Sequence, residues 1–304
     1  MSPKDKDHKI FGFVALVGPP NAGKSTLMNH MIGTKVAITS RKPQTTRHRI
    51  LGIKTTEEAQ VVFVDTPGIH DPGKRQLNKV INKTAINSLE DVDIILFMMD
   101  DRGWNEEVEL AFSAIGNPGA PVYLLINKTD KLSDKTALLP LIEKAKGRYD
   151  FAQIIPISAQ QKRDTDALWL TLLKHLPADG MGYGFPADQI TDKSQRFLAS
   201  ELVREQLFRQ LGQELPYATA VEVMRFEIED EEFISMDMTI WVDRDGQKGI
   251  IVGKKGVKLK EIGTRARQQM QHLFGKRVHL SLWVKVRKGW ADNARMLKSL
   301  GYTE

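Results

Sequence analysis

The sequence predicts two consecutive domains: an α/β domain built on a mostly parallel, doubly wound sheet, and a small α+β domain after it. The first observation is a series of short apolar runs in the first half of the chain, each closed by a polar residue. The second is a later change to strictly alternating apolar and polar residues. The third is charge asymmetry, because residues 181–247 carry a net charge of −8 and residues 248–304 carry +11. We expect domains at 1–178 and 195–304, joined by a linker at 179–194.

Composition narrows the class of protein. The chain has 304 residues, enough for two domains of about 150 residues each. It is 41% hydrophobic and 27% charged, which argues against a disordered or fibrous protein. It has no cysteine, so disulfides, thiolate metal sites and a cysteine nucleophile are excluded. Its N-terminus resembles no signal peptide, and its longest apolar run, 94–99, is far below the span of about 18 residues that a membrane requires. We expect a soluble intracellular protein.

Apolar runs that do not alternate predict the strands of the first domain. Such runs occupy residues 10–17, 61–64, 94–99, 121–126 and 153–157. A short run of this kind, closed by a polar residue, is typical of a central parallel strand covered by helices on both faces. Helix-length segments lie between the runs, for example Lys79–Leu89 and Asn105–Ala114. We therefore expect the functional residues at the carboxyl ends of the strands.

Alternation predicts the second domain. Residues 196–211 have apolar side chains at helical spacing, and residues 224–228, 234–242 and 278–286 alternate as half-buried strands do. An apolar stripe between residues 259 and 273 predicts a further helix. The order helix, strand, strand, short helix, helix, strand predicts a small α+β domain with its helices on one face of the sheet.

Residues 18–25, GPPNAGKS, match the phosphate-binding loop G-x-x-x-x-G-K-[ST] and lie between the first strand and a helix. In such a loop, backbone N–H groups and the helix N-terminus surround a phosphate. Lys24 supplies a charge for the β and γ oxygens, and the hydroxyl of Ser25 suits Mg²⁺. The DTPG motif at 65–68 ends the second apolar run. There, Asp65 can hold Mg²⁺ through water, and the N–H of Gly68 can meet the γ-phosphate.

The polar, basic segment SRKPQTTRHR at 40–49 lies between these two motifs, where a loop that senses the γ-phosphate is expected. Thr46, or alternatively Thr45, is the candidate second hydroxyl ligand of the metal. The predicted magnesium ligands are Ser25, Thr46 and Asp65.

The NKTD motif at 127–130 follows the fourth apolar run and points to guanine. The carboxylate of Asp130 can accept hydrogen bonds from the ring N–H and the exocyclic amine of guanine, whereas adenine presents the wrong pattern. Asn127 can link the base to the phosphate loop, and the stem of Lys128 can cover the purine face. A backbone N–H at 158–159 can meet the guanine carbonyl. We expect GTP and GDP rather than ATP. The predicted nucleotide contacts are Gly18, Pro19, Pro20, Asn21, Ala22, Gly23, Lys24, Ser25, Thr26, Asp65, Thr66, Pro67, Gly68, Ile69, Asn127, Lys128, Thr129, Asp130, Ser158 and Ala159.

The position after the DTPG motif holds Ile69, where many GTPases place a glutamine that orients the attacking water. We assign no catalytic residue, and neither His70 nor Gln44 nearby is named as one. Hydrolysis by the protein alone is therefore expected to be slow. Asn21 either holds a monovalent cation such as K⁺ in the role of an arginine finger, or has only a structural role; Lys24 assists at the phosphates.

Residues 253–256, GKKG, lie between the apolar residues 249–252, expected as a turn, and the amphipathic helix that follows. Two glycines allow close approach of a phosphodiester backbone, and the lysines and helix N-terminus supply positive potential. Between two helices of a basic α+β domain, this is the pattern of a KH domain, which binds about four single-stranded nucleotides. The predicted RNA contacts are Gly253, Lys254, Lys255, Gly256, Lys258 and Lys260.

Together, the motifs GPPNAGKS, SRKPQTTRHRI, DTPGIH, NKTD, SA and IIVGKKGVKLKEIG resemble those of the Era family of bacterial GTPases, over nearly the whole chain. The resemblance implies a P-loop GTPase domain followed by a type II KH domain, Mg²⁺-dependent GTP hydrolysis, binding of small-subunit ribosomal RNA near its 3′ end, and a role in 30S subunit assembly. It also implies a cytoplasmic protein with peripheral association with the inner membrane. Ile69 agrees with the hydrophobic residue of the family, whereas GKKG lacks the frequent second glycine. We expect a monomer.

Two other functions stay open. The first is a GTP-regulated adaptor whose basic domain binds an anionic membrane or a protein. That function calls for a basic amphipathic helix with large exposed apolar residues, whereas the helix after Gly256 is expected to use its stripe for the core. The second is a P-loop kinase acting on a small molecule, which the guanine motif and the missing lid segment disfavour.

Overall fold

The structure is a computed structural model that describes residues 9–71, 76–178, 182–212 and 214–302. The expectations for the N-terminal residues 1–8 and for linker residues 179–181 lie outside the described residues. The chain forms two compact units. The first comprises Met1–Ala37, Thr46–Asp71 and Asn82–Asp192, and the second comprises Ile38–Thr45, Pro72–Ile81 and Lys193–Glu304.

A six-stranded sheet forms the centre of the first unit. Its strands are β1 (Ile10–Val17), β2 (Ile50–Thr55), β3 (Ala59–Asp65), β4 (Ile94–Met99), β5 (Val122–Ile126) and β6 (Gln153–Pro156), in the order β2-β3-β1-β4-β5-β6. β2 pairs antiparallel with β3, and all other neighbours pair in parallel. Every residue of β3, β4 and β5 is buried, which is why these strands read as continuous apolar runs. The predicted doubly wound, mostly parallel sheet is confirmed.

The helices of the first unit are α1 (Lys24–Ile32), α3 (Glu106–Ser113), α4 (Leu138–Lys146) and α5 (Lys162–Leu173), with α2 (Gln76–Asn87) shared between the units. Asn105 caps α3 by accepting a hydrogen bond from the N–H of Val108, and three glutamates in the first turn complement the helix dipole. The helices expected at 79–89 and 105–114 are therefore present with shifted ends.

Two strands differ from expectation. β2 was not predicted; it forms the edge of the sheet and joins β3 through a tight turn in which the N–H of Thr56 donates to the carbonyl of Ala59 (2.8 Å). β6 was expected to be a central strand, but it is the other edge, and its residues are half-buried or exposed. An apolar run reports local hydrophobicity, whereas its place in the sheet depends on pairing with distant strands.

The second unit contains a three-stranded sheet. Its elements are α6 (Gln195–Gln210), β7 (Thr219–Ile228), β8 (Phe233–Val242), α7 (Asp245–Val252), α8 (Val257–Phe274), β9 (Arg277–Val286) and α9 (Ala294–Ser299). β8 is central, antiparallel to β7 and parallel to β9. The predicted order of elements is present, and α9 is an unpredicted addition. Residues 249–252, expected as an apolar turn, form the last turn of α7 instead, because Ile251 packs into the core.

One face of this sheet carries the core. Alternate residues of β8 from Ile234 to Val242 are fully buried. They share one hydrophobic cluster with Ile262, Ala266 and Met270 of α8 and with residues of α6. The apolar stripe of α8 is thus buried against the sheet and α6, as expected from its spacing. Within the described residues, no helix has both the length and the apolar character needed to cross a bilayer.

Candidate nucleotide and nucleic-acid sites

The phosphate loop is the turn between the end of β1 and the start of α1 at Lys24. Gly23 has φ 107°, and a Cβ there would lie 2.1 Å from Nδ2 of Asn127, so only glycine fits. The ammonium of Lys24 donates to the carbonyls of Gly18 and Pro19, both at 2.9 Å. The lysine therefore folds back over the loop that would hold the phosphates.

Burial lowers the pKa of Lys24 to about 8, while the charge of Asp65 opposes that shift. A nearby anion stabilises the charged form of a buried ammonium that is held mainly by neutral carbonyls. The electrostatics of the loop thus favour a phosphate group.

The three predicted magnesium ligands lie together. Oγ of Ser25 donates to Oδ2 of Asp65 (2.6 Å) and lies 2.8 Å from Oγ1 of Thr46. Asp65 is fully buried, and its Oδ1 has no hydrogen-bond partner among the described residues. Burial raises the pKa of Asp65 to about 6, although the hydrogen bond from Ser25 and the charge of Lys24 oppose the rise. Two hydroxyls beside an orphaned buried carboxylate oxygen form a donor set that fits Mg²⁺.

The alternative hydroxyl, that of Thr45, is engaged elsewhere. It donates to the carbonyl of Lys42 (2.8 Å) and lies 2.6 Å from Oγ of Ser40. Because Thr45 holds its own loop together and Thr46 contacts Ser25, the geometry favours Thr46 as the metal ligand.

Asn127 joins two of the predicted motifs. It is 2% exposed, its Nδ2 donates to the carbonyl of Ala22 (2.7 Å), and its Oδ1 accepts from the N–H of Ala159 (2.9 Å). Oδ1 of the exposed Asp130 accepts a hydrogen bond from Oγ of Ser158 (2.6 Å). The guanine motif, the phosphate loop and the SA motif are therefore one hydrogen-bonded assembly at the carboxyl ends of β1, β5 and β6.

The backbone N–H groups expected to meet the guanine carbonyl already have partners. The N–H of Ser158 donates to Oδ2 of Asp164 (2.8 Å), and that of Ala159 donates to Asn127. A contact from Ala159 to the base would therefore share this hydrogen with Asn127.

Asp100, at the end of β4, is a contributor that sequence reasoning missed. Its Oδ2 accepts a hydrogen bond from Nζ of Lys128 (2.9 Å), and Lys128 has a left-handed backbone with φ 66°. Burial alone would raise the pKa of Asp100, but the hydrogen bonds from Arg102 and Lys128 hold it below its usual value. Asp100 thus orients the lysine predicted to cover the purine. Its position at a strand end, like that of Asp65, was the available signal.

Among the residues that the structure describes, no group at the site takes the position of the missing glutamine. Ile69 is 2% exposed and packs in the core of the first unit, so it orients no water. Nδ1 of His70 lies 2.8 Å from the carbonyl of Gly68, and its Nε2 is buried without a hydrogen-bond partner among the described residues. Nothing in this geometry assigns either residue to catalysis.

The GKKG loop connects α7 to α8, as a helix–loop–helix arrangement requires. Gly253 has φ 72°, and a Cβ there would lie 2.7 Å from Cβ of Lys258, whereas Gly256 (φ 77°) faces open space. Lys254 and Lys255 are exposed. The loop therefore presents two cations on a backbone that only glycine readily adopts.

Apolar side chains flank this loop and were not among the predicted contacts. Ile250 is 60% exposed and Val257 is 66% exposed. Lys254, Lys255, Val257 and Lys258 line an open depression of about 370 Å³. Of the remaining predicted residues, Lys260 is exposed, and Nζ of Lys258 lies 3.2 Å from Oε2 of Glu261. Both flanking residues lie off the core stripe of their helices, which was the signal that could have found them.

Comparison with family models identifies both halves of the chain. Residues 13–128 match the family described as a 50S ribosome-binding GTPase, and residues 214–291 match the KH domain. The chain is 52% identical to GTPase Era of Stenotrophomonas maltophilia strain K279a over 291 residues, which covers 96% of this chain and 97% of that relative. It is 50% identical over 291 residues to GTPase Era of Pseudomonas fluorescens strain Pf0-1, covering 96% of each.

Two solved structures of Era proteins are also similar to this chain. A crystal structure of Era in complex with MgGDPNP and nucleotides 1506–1542 of 16S ribosomal RNA has a TM-score of 0.93 and 42% identity, covering 98% of this chain and 100% of that one. An Aquifex aeolicus Era variant bound to GDP·AlF4⁻ has a TM-score of 0.92 at 42% identity, covering 97% of this chain and 100% of that one. The similarity thus extends over both halves of the fold.

Proposed function

The chain belongs to the Era family of GTPases, and on that basis we propose that it binds small-subunit ribosomal RNA near its 3′ end and acts in assembly of the 30S subunit. The observation that carries the proposal is the combination, in one chain, of a guanine-type phosphate-loop site and a basic GKKG loop between two helices. Hydrolysis of GTP supplies a switch, and the KH domain supplies the contact with RNA. An adaptor acting on membranes is less well supported, because the stripe of α8 is buried in the core.

The nucleotide is held by residues at the carboxyl ends of the strands. In this proposal, the loop 18–25 surrounds the β-phosphate, Lys24 neutralises β and γ oxygens, and Asp130 accepts from the guanine edge. Ser25, Thr46 and Asp65 would hold Mg²⁺, which supplies neutralisation of the phosphate charge when bound. The supporting features are the orphaned oxygen of Asp65 and the buried lysine beside it.

A monovalent cation is the proposed substitute for the missing glutamine and arginine finger. The support is the buried Ile69 at the glutamine position together with the exposed, left-handed Asn21 (φ 62°) in the phosphate loop. A K⁺ ion beside Asn21 would offset charge that develops on the phosphates.

GTP turnover measured in K⁺ and in Na⁺ at equal ionic strength tests the cation. We expect faster turnover in K⁺ and loss of that difference in Asn21→Ala, with GTP affinity as the control. Equal rates of GTP turnover in K⁺ and Na⁺ would refute the proposed cation site.

Residues 1–178 and 195–304 are the proposed GTPase and KH domains, with 179–194 as the linker. We propose a cytoplasmic monomer with peripheral association with the inner membrane. The support for the membrane is the family resemblance, together with the net charge of +11 on residues 248–304, which attracts anionic lipid. Light scattering during gel filtration tests the monomer, and flotation with anionic vesicles tests the membrane.

Crosslinking in a cell lysate, followed by sequencing of the bound RNA, tests the RNA partner. We expect reads concentrated near the 3′ end of the small-subunit ribosomal RNA. Loss of that peak in Lys254→Ala/Lys255→Ala would place the contact at the loop. Reads spread evenly over cellular RNA, or flotation with vesicles without any RNA enrichment, would overturn the proposal.

A further inference from the structure

The edge strand β9 presents an exposed row of side chains on the face opposite the helices. Val278, Leu280, Leu282 and Val284 point into the core beneath α6 and α8. By alternation, Arg277, His279, Ser281, Trp283 and Lys285 lie on the other face. We call these five residues the β9 row. Its indole, on Trp283, is 47% exposed.

The charged side chains in the chain segment around the β9 row are all positive. Residues 262–291 contain seven lysines and arginines and no aspartate or glutamate. Lys285, Arg287 and Lys288 are exposed, and none of them forms an ion pair with a described residue. Within the row, Arg277 is paired with Glu232 at 3.7 Å. The accessible aromatic plane of Trp283 therefore lies beside uncompensated positive charge at the Lys285 end of β9.

Three acidic side chains of β7 and β8 on the same face of the sheet do not neutralise Lys285. Glu222 accepts a hydrogen bond from Nε1 of Trp241 (2.7 Å). Asp237 and Glu227 both pair with Arg225, at 2.9 and 3.0 Å. These three acids lie on β7 and β8, and their partners lie on the same two strands. A polyanion that approached the Lys285 end of β9 would thus meet cations that have no ion-pair partner among the described residues.

We propose that the β9 row binds a second stretch of single-stranded RNA, with one base stacked on the indole of Trp283 and neighbouring phosphates at Lys285 and Arg287. A sheet face that offers an aromatic platform with flanking cations is a general way to hold unstacked bases without strict sequence preference. This inference rests on the proposed RNA-binding function and extends it beyond the four nucleotides that a GKKG loop accommodates.

The affinity of the protein for single-stranded RNAs of different lengths tests the proposal. Fluorescence anisotropy of single-stranded RNAs of about 4 and about 16 nucleotides separates the loop from a longer path. In the parent protein, the longer RNA binds more tightly. In Trp283→Ala, we expect the 16-nucleotide affinity to fall about tenfold, as loss of one stacked base requires, while the 4-nucleotide affinity stays unchanged.

Matched variants separate stacking from folding. Trp283→Phe retains an aromatic plane and is expected to recover most of the long-RNA affinity. Met224→Ala, which truncates a 53%-exposed side chain on β7 at the opposite edge, is expected to bind like the parent. Lys285→Ala is expected to reduce the slope of log affinity against log salt by about 0.7 for the long RNA.

The failure of this inference is distinguishable from the failure of the proposed function. If Lys254→Ala/Lys255→Ala loses RNA of both lengths and Trp283→Ala retains both, the β9 row is not an RNA site and only this inference falls. If neither variant changes RNA binding, the RNA-binding function falls with it. Weakened co-sedimentation of Trp283→Ala with 30S particles, alongside unchanged binding of both RNAs, would identify a protein contact and overturn the proposal.

Discussion

Asp130 is the residue that we propose selects guanine. Its Oδ1 is oriented by Ser158 at 2.6 Å, which leaves the rest of the exposed carboxylate for the two N–H donors of guanine. We expect Asp130→Asn to lose GTP affinity and gain affinity for XTP, because an amide can donate to the extra carbonyl of xanthine. Loss of the matched polar pair typically costs about 1–3 kcal/mol.

Competition between GTP and XTP for a fluorescent guanine nucleotide measures this change. Asp134→Asn is the matched control, since Asp134 is exposed and caps the short helical turn Lys135–Ala137. An Asp130→Asn variant that still prefers GTP as strongly as the parent would refute the role of Asp130.

Asp65 would make the proposed magnesium site sensitive to acid. The pKa of its buried carboxyl is about 6, raised from 3.8 by burial. Because Mg²⁺ requires the ionised form, we expect Mg²⁺ to strengthen GDP binding more at pH 7.5 than at pH 5.5. In the protein without nucleotide and metal, the sign is opposite: a raised pKa means that the folded state holds the proton, so this contribution to stability is lost as pH rises from 4 through about 6.

Titration of nucleotide affinity with Mg²⁺ at both pH values measures the first effect, and thermal unfolding of the metal-free protein measures the second. Asp65→Asn is the control, because an amide does not titrate and both pH effects should flatten. Identical pH dependence in the parent and in Asp65→Asn would contradict the assignment.

At the scale of elements, the loop between α7 and α8 should decide RNA binding. Gly256 faces open space, so Gly256→Asp places a carboxylate beside the lysines without a steric clash. We expect at least a tenfold loss of affinity for single-stranded RNA and unchanged GTP turnover without RNA, because repulsion of phosphate is local to the loop.

Gly275→Asp supplies a matched control for that change. Gly275 also faces open space, has φ 65° against 77° for Gly256, and lies at the other end of α8. It therefore carries the same added charge and similar backbone strain away from the loop. Equal losses in the two variants would show that net charge, and not the loop, governs binding.

For the whole molecule, we expect that a substitution can abolish GTP binding without changing RNA binding. Lys24 is the proposed phosphate ligand, and its ammonium donates to the carbonyls of Gly18 and Pro19 in its own loop. We therefore expect Lys24→Ala to abolish tight triphosphate binding. The core of the second unit contains no part of that loop. RNA binding by the nucleotide-free variant should therefore match that of the nucleotide-free parent.

Equilibrium binding of GTP and of single-stranded RNA, measured on the same preparations, checks this separation. Lys24→Arg retains the charge and shows whether loss of binding follows charge or shape. Retained GTP affinity in Lys24→Ala, with a normal Mg²⁺ dependence, would contradict the phosphate-loop assignment.

The sequence by itself determined the chemistry of this chain. GPPNAGKS, DTPG, NKTD and GKKG each couple a residue type to a local backbone geometry, and the apolar runs place the first three at strand ends, so their roles follow from adjacent residues. Local periodicity also predicted the doubly wound sheet and the core face of the second domain, because burial alternates with a period that the sequence displays.

Only the tertiary structure decided what depends on residues far apart in the chain. It placed the hydroxyl of Thr46 against Ser25 and that of Thr45 against Ser40. It left Oδ1 of Asp65 without a partner among the described residues and paired Lys128 with Asp100. It placed β2 and β6 at the edges of one sheet and exposed Trp283 on an edge of the other. The physical reason is that strand order and side-chain partners arise from long-range pairing, which hydrophobic periodicity along the chain does not encode.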